Sequence, residues 1–220
     1  MNFDISYLID ALPRLLEGAL ITLQITLIGF VLSLALATAL TVMRETTQSK
    51  LAHNLLALYV SFIRGTPLLV QIFLIYYVTP VVGIDIGPVF AGILAISLNS
   101  AAFVVEILRG GLASVPKGQF EAAKSLGLKR GARWSKVILP QTFIASVPPL
   151  VNEFTQVLKA TALLSTITIV ELMRTAQQIY TRNYHPVEVL LGTFIIYFIM
   201  CFIVSRSASF LEDRLKPKRA

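Results

Sequence analysis

The residue types that do covalent chemistry are nearly absent from this chain. Its one cysteine, Cys201, can form neither an internal disulfide nor a cysteine-based zinc site. Its two histidines, His53 and His185, stand far apart and belong to no paired-ligand motif, so no metal centre is expected. No nucleophile–base constellation is evident, so no catalytic residue is assigned. What remains is a small set of polar side chains set into long apolar stretches. Asn99, Phe103 and Glu106 recur at i, i+4 and i+7, which is one face of a helix. Asn152, Gln156 and Lys159 repeat that spacing, with Glu153 about 100° round from Asn152. The chemistry open to such groups is non-covalent. A carboxylate takes an ammonium or guanidinium, and an amide can hydrogen-bond either end of a zwitterion.

Apolar helices must position these groups. Of the 220 residues, 55% are apolar and 14% are charged, with a mean hydropathy of +0.75. Soluble domains carry about a quarter charged residues, so a soluble enzyme, a disordered chain, collagen and a coiled coil are all excluded. We read residues 1–220 as one all-α integral membrane domain. Charge-free runs cover 18–43, 65–84, 86–105, 137–152 and 189–205. A spanning helix needs about 20 mainly apolar residues, which gives five spans at about 18–43, 57–79, 87–109, 137–159 and 188–209. The apolar run 160–170 is too short to span, and the stretch of about 160–182 is expected to be a re-entrant or interfacial helix outside the cytoplasm. Pro148 and Pro149 are expected to break or kink the fourth span. Glu153 falls roughly 24 Å along that span from Val137, past the midplane. Intramembrane charges face a cavity or one another, so Glu153 either meets a ligand or pairs structurally, for instance with Lys159. Glu106 and Arg64, near span ends, suit ion pairing or gating. His185 and Cys201 are read as structural, and His53 as part of the first loop.

The first run lies too far in, and is too long, for a cleaved signal peptide. Its leading flank holds Asp4, Asp10 and Glu17 against Arg14 alone, so it is expected to stay. Of the 19 basic residues, 14 fall in the 44–53 loop, the 109–136 segment and the tail from Arg206 to Arg219. The positive-inside rule then places those segments and the C-terminus in the cytoplasm and the N-terminus outside. The net charge of +7 reflects this topology and contact with anionic lipid, not nucleic acid.

The loop of about 110–136 has structure of its own. Ser114 is placed as an N-cap, with Pro116 in the first turn. Phe120, Ala123 and Leu126 are expected on one face, with Lys117, Glu121 and Lys124 spaced to pair on another. Gly127 is placed as a left-handed stop, and a second short helix starts at about Arg130 and turns into the fourth span at Pro140. Such a helix-turn-helix is either an amphipathic surface element or one sized for a cleft on a partner.

Glu121-Ala122-Ala123, Gly127 and Ile138-Leu139-Pro140 together resemble the EAA loop of permease subunits of bacterial ATP-binding-cassette importers. Arg64-Gly65-Thr66-Pro67-Leu68, Leu98-Asn99-Ser100-Ala101-Ala102-Phe103 with Glu106 and Arg109, Asn152-Glu153 and Lys159-Ala160-Thr161-Ala162-Leu163 resemble the polar amino-acid branch of that family. The resemblance covers almost the whole chain in order. It implies a type I permease fold in the bacterial inner membrane, with two permease subunits, identical or homologous, side by side. Two ATPase subunits, which hold the ATP and magnesium, dock from the cytoplasm, and an extracytoplasmic binding protein delivers a polar L-amino acid. This chain itself would bind no cofactor and no metal. Glu121, Ala122, Ala123, Gly127 and Lys117 would couple to the ATPase. Asn99 and Glu153 would line the substrate path, joined by Asn152, Gln156, Phe103 and Gln71, while Arg64, Glu106, Arg109 and Lys159 serve gating or structure. Many relatives carry Lys-Asp-Thr-Ser-Leu where this chain has Lys159-Ala160-Thr161-Ala162-Leu163, and Asn183-Tyr184-His185-Pro186 has a similar flavour. Both lean slightly toward a basic amino acid. The competing reading is an ATP-independent secondary transporter or channel. It finds no inverted repeat in five spans and leaves the basic helix-turn-helix unexplained. No Gly-x-x-x-x-Gly-Lys-Ser/Thr stretch occurs, so the chain is not itself the ATPase.

Overall fold

The computed structural model describes the backbone of residues 3–215 and the side chains of residues 3–207. The tail charges Arg214, Lys216, Lys218 and Arg219 lie outside the described side chains. Among the described residues every regular element is helical.

Helix α1 runs Ile5–Thr46, and at 1.5 Å per residue it is roughly 63 Å long, about twice the hydrocarbon core. The helix therefore begins well before residue 18, where the expected span starts. Hydropathy marks where a chain is apolar, whereas the helix also takes in Asp10, Arg14 and Glu17, with Pro13 inside it. Asp4 sets the true start, its carboxylate accepting the Ser6 N–H at 2.9 Å.

The expected continuous span 57–79 is two helices, α2 (Lys50–Arg64) and α3 (Leu68–Val81), bent by 106°. Pro67 has no N–H to continue a helix and drives Thr66 out of the helical region. Helix α4 (Gly87–Ala113) packs against α1, α2, α3 and α7, the last running Leu139–Ala160.

Helix α5 (Lys117–Ser125) follows. Ser114 ends α4 rather than starting α5, because extended Pro116 holds the cap position. Of the expected apolar stripe only Ala123 is buried, while Leu126 is 78% exposed. No ion pair joins Lys117, Glu121 or Lys124 among the described residues. The stop at Gly127 forms as expected. Its φ is +69°, with Leu128 N–H donating to Ala123 O and Gly127 N–H to Lys124 O. Helix α6 (Arg130–Arg133), a π turn (Trp134–Ile138) and α7 then form one helical path, so no turn falls at Pro140. Nor do Pro148 and Pro149 break α7, which stays helical through both. A 3-10 segment (Thr161–Ile167) leads to α8 (Leu172–Asn183), and α9 runs Pro186–Leu215.

Three helices are long and apolar enough to cross a membrane: Ile5–Thr46, Gly87–Ala113 and Pro186–Ser207. Two bent pairs, α2 with α3 and Arg130–Ile167 with α8, bring the number to at most five. Three apolar clusters hold the helices together. They centre on Leu15, Leu158 and Leu172, on Ile72, Ile96 and Leu164, and on Leu56, Val104 and Leu108.

Candidate functional site

Helices α4 and α7 face each other across a cavity of about 380 Å³, within the size range of small-molecule sites. Helix α4 contributes Asn99, Ser100 and Phe103, and α7 contributes Asn152, Glu153 and Gln156. Leu68, Ile96, Val157 and Ala160 complete the wall. The helical spacing that groups these residues in the sequence is the spacing that brings them to one space. Glu153 accepts a hydrogen bond from Ser100 Oγ at 2.8 Å, and this replaces the Glu153–Lys159 pairing weighed from the sequence. Lys159 is exposed on α7 and does not line the cavity. Ser100 was legible within its motif but not as a partner, because nothing in a single sequence pairs residues 53 apart.

Gln71 stands behind the cavity wall rather than in it. Its amide nitrogen donates to Ile63 O and to Thr66 Oγ1, both at 2.9 Å, with Thr66 O at 3.2 Å. It thereby ties together the break between α2 and α3. Its oxygen accepts from Asn99 Nδ2 at 3.0 Å, which positions Asn99 at the cavity. Phe103 separates the cavity from a charged cluster. The Arg64 guanidinium lies 5.4 Å from the Phe103 ring centre. Glu106 Oε2 meets Arg109 Nη2 at 2.5 Å and Arg64 Nη1 at 3.9 Å. Two arginines thus share one carboxylate at one end of the site.

Sequence reasoning missed Glu171, which is fully buried. Its carboxylate accepts from Met173 N–H at 2.9 Å, Arg174 N–H at 2.8 Å, Tyr197 OH at 3.1 Å and Thr22 Oγ1 at 3.4 Å. That joins α1, the start of α8 and α9. An acid between Val170 and Leu172 was the available signal, but glutamate is not a favoured cap type and did not announce one. His185 stacks on Tyr7 with ring centres 3.6 Å apart and meets Glu188 Oε1 at 3.3 Å, a packing arrangement away from the cavity. On the other side of the molecule, Glu121, Ala122 and Lys117 are exposed on α5 and Ala123 is buried beneath them. Gln141 Nε2 reaches Gln119 Oε1 at 3.4 Å and links α5 to α7.

Long apolar helices around a small polar cavity, with a separate exposed helix at one end, define an integral membrane subunit of the transport class. The chain belongs to the family described as binding-protein-dependent transport system inner membrane component, whose model matches residues 29–217. It is similar to the L-cystine transport system permease protein of Bacillus subtilis (strain 168), 38% identical over 92% of this chain and 87% of that one. It is likewise similar to the arginine transport system permease protein of the same organism, 35% identical over 98% and 99% of the two chains. The glutamine transport system permease protein of Escherichia coli (strain K12) is 34% identical over 98% and 99%. Among solved structures, an amino acid ABC transporter with histidines superposes with a TM-score of 0.87 at 34% identity, covering 97% of this chain and all of that one. The MetNI methionine ABC transporter shares the fold, with a TM-score of 0.72 at 20% identity over 96% and 97% of the two chains. The chain is a permease subunit of the amino-acid ABC importer class, an inner-membrane component that is not itself catalytic.

Proposed function

We propose that the cavity between α4 and α7 is the point at which a polar L-amino acid crosses, and that basic amino acids suit it slightly better than others. The observation that carries this reading is Glu153, a half-buried carboxylate opening on the cavity with Ser100 as its only hydrogen-bond partner among the described residues. It takes the ammonium or guanidinium end, and Asn99, Asn152 and Gln156 hydrogen-bond the rest. Phe103, Arg64, Glu106 and Arg109 gate one end. An extracytoplasmic binding protein delivers the substrate. A second permease, identical or homologous, covers the exposed polar face of α7. Two ATPase subunits with their ATP and magnesium receive α5 through Lys117, Glu121, Ala122, Ala123 and Gly127. In this reading that end of the chain and the C-terminus lie in the cytoplasm and the N-terminus outside. Closure of the ATPase pair draws the two α5 helices together, and the helices rock between inward-open and outward-open states. Transport is coupled because ATP and loaded binding protein favour the same state.

The test is Glu153→Gln in the assembled, reconstituted complex, read as transport against substrate concentration. Loss of one hydrogen bond to a charged group, about 1.5–3 kcal/mol, predicts a roughly tenfold to hundredfold weaker apparent affinity with the basal ATPase rate retained. An unchanged concentration dependence removes Glu153 from the path.

A further inference from the structure

The basic stretch from Lys129 to Lys136 lies outside the docking residues of α5. It folds into α6 and the π turn and walls a second cavity, of about 380 Å³, with Glu45, Phe120, Arg130, Arg133, Trp134 and Ile138 around it. Glu45 belongs to the last turn of α1, and Ile138 is the residue before α7 begins. The cleft thus sits where α1 ends and α7 starts, which in the topology proposed above is the cytoplasmic headgroup level. Arg130 is anchored by one guanidinium nitrogen donating to Thr46 O, the carbonyl that closes α1. Arg133 is different. Its Nε is buried with no hydrogen-bond partner, and no ion pair involves its guanidinium among the described residues. Glu45 lines the same cleft without pairing to either arginine. The Arg133 guanidinium, in no ion pair among the described residues and beside a second guanidinium and an indole, can donate to an oxyanion, for which the arginine fork is matched.

We infer that this cleft binds the phosphodiester of an anionic phospholipid headgroup. Two guanidiniums against one carboxylate leave a single positive charge, which one phosphodiester neutralises. Glu45 disfavours a dianion, so free phosphate fits less well, and a zwitterionic lipid supplies no net charge to balance the site. Trp134 supplies the aromatic wall typical of the membrane boundary. An occupied cleft ties the end of α1 to the segment leading into α7. The inference rests on that topology and not on the amino-acid cavity, and Phe120 of α5 forms part of the cleft wall.

Trp134 is the only tryptophan in the chain, so intrinsic emission reads the cleft directly. The full chain in detergent micelles is titrated with short-chain phosphatidylglycerol, with the matching phosphatidylcholine and with inorganic phosphate. A saturable change with phosphatidylglycerol alone is expected. Arg133→Gln should weaken it by about tenfold or more, as for loss of a charge-assisted hydrogen bond. Glu45→Gln should do the opposite and tighten it. This second variant, at an exposed residue, keeps the test valid if Arg133→Gln fails to fold. An equal response to phosphatidylcholine overturns the proposal, as does saturation by inorganic phosphate that phosphatidylglycerol cannot add to. So does weaker binding in Glu45→Gln.

Discussion

Replacing Gln71 by glutamate distinguishes a residue that holds the fold from one that touches substrate. The Thr66 hydroxyl donates its proton to Phe62 O at 2.9 Å. The same oxygen must therefore accept from Gln71, which fixes the amide with its nitrogen toward Ile63 O and Thr66 and its oxygen toward Asn99. Glutamate presents an oxygen to those acceptors instead. Two hydrogen bonds worth about 1 kcal/mol each are lost, and an unsatisfied buried acceptor adds about 1 kcal/mol or more. The total is about 3 kcal/mol. Leucine loses those two and the bond accepted from Asn99 as well, without the repulsion, for about 3 kcal/mol. For a chain of this size each kcal/mol lowers the unfolding midpoint by roughly 2–4 °C. Both variants should therefore unfold roughly 6–12 °C early. The assay is thermal unfolding of the detergent-solubilised full chain, paired with substrate-stimulated ATPase activity of the assembled complex below the transition. A glutamate variant with an unshifted midpoint and an altered substrate response would refute the structural assignment.

Other substitutions follow from single contacts. Alanine at Gly111 puts a Cβ 2.8 Å from Thr142 O and closer still to Ser146 Oγ, so α4 and α7 must part. The expected loss is about 1–3 kcal/mol in thermal unfolding, only partly rescued by Ser146→Ala because the carbonyl stays. Glu121→Lys, and Gly127→Asp at a φ of +69°, should abolish ATP-driven uptake while leaving membrane insertion intact; uptake at full rate removes α5 from coupling. Asp4 answers to pH. The Ser6 N–H bond, with lesser help from the Ser6 side chain, holds its carboxyl below the ordinary value. Its stabilisation of the first turn of α1 is thus complete above about pH 4 and disappears as the pH falls through the folded value. Amide exchange at Ser6, corrected for its intrinsic rate, should quicken below about pH 4, and Asp4→Asn should abolish that dependence.

The long apolar helices were legible because charge is too costly in lipid to appear by accident, so its absence over about 20 residues is a clear sign. Their ends and breaks were less so. Helix α1 begins at Ile5, because helix formation needs backbone bonds and packing, not hydropathy. The break at Gly65-Thr66-Pro67 had its signal in Pro67, which the apolar run from Leu68 masked. At Pro148-Pro149 the expected break did not form, and α7 continues as one helix packed against α4 and α9. Helical period grouped Asn99 with Phe103 and Asn152 with Gln156, which do line the cavity, but it put Glu106 and Lys159 on the same faces, and these do not. Gln71 and Ser100 were not understood, since their meaning lies in contacts to Ile63, Thr66, Asn99 and Glu153 that a period does not encode.

The exposed face of α7 has a consequence for the life of the molecule in its cell. Lys159 is exposed on α7, and Asn152 and Gln156 are exposed at the open side of the cavity they line. A newly inserted copy without neighbours leaves two amides and an ammonium beside acyl chains, each an energetic burden that only a polar surface or water relieves. Copies made without that cover are therefore expected to turn over faster than copies made together with whatever covers the face, so that the level of this subunit would follow its neighbour's.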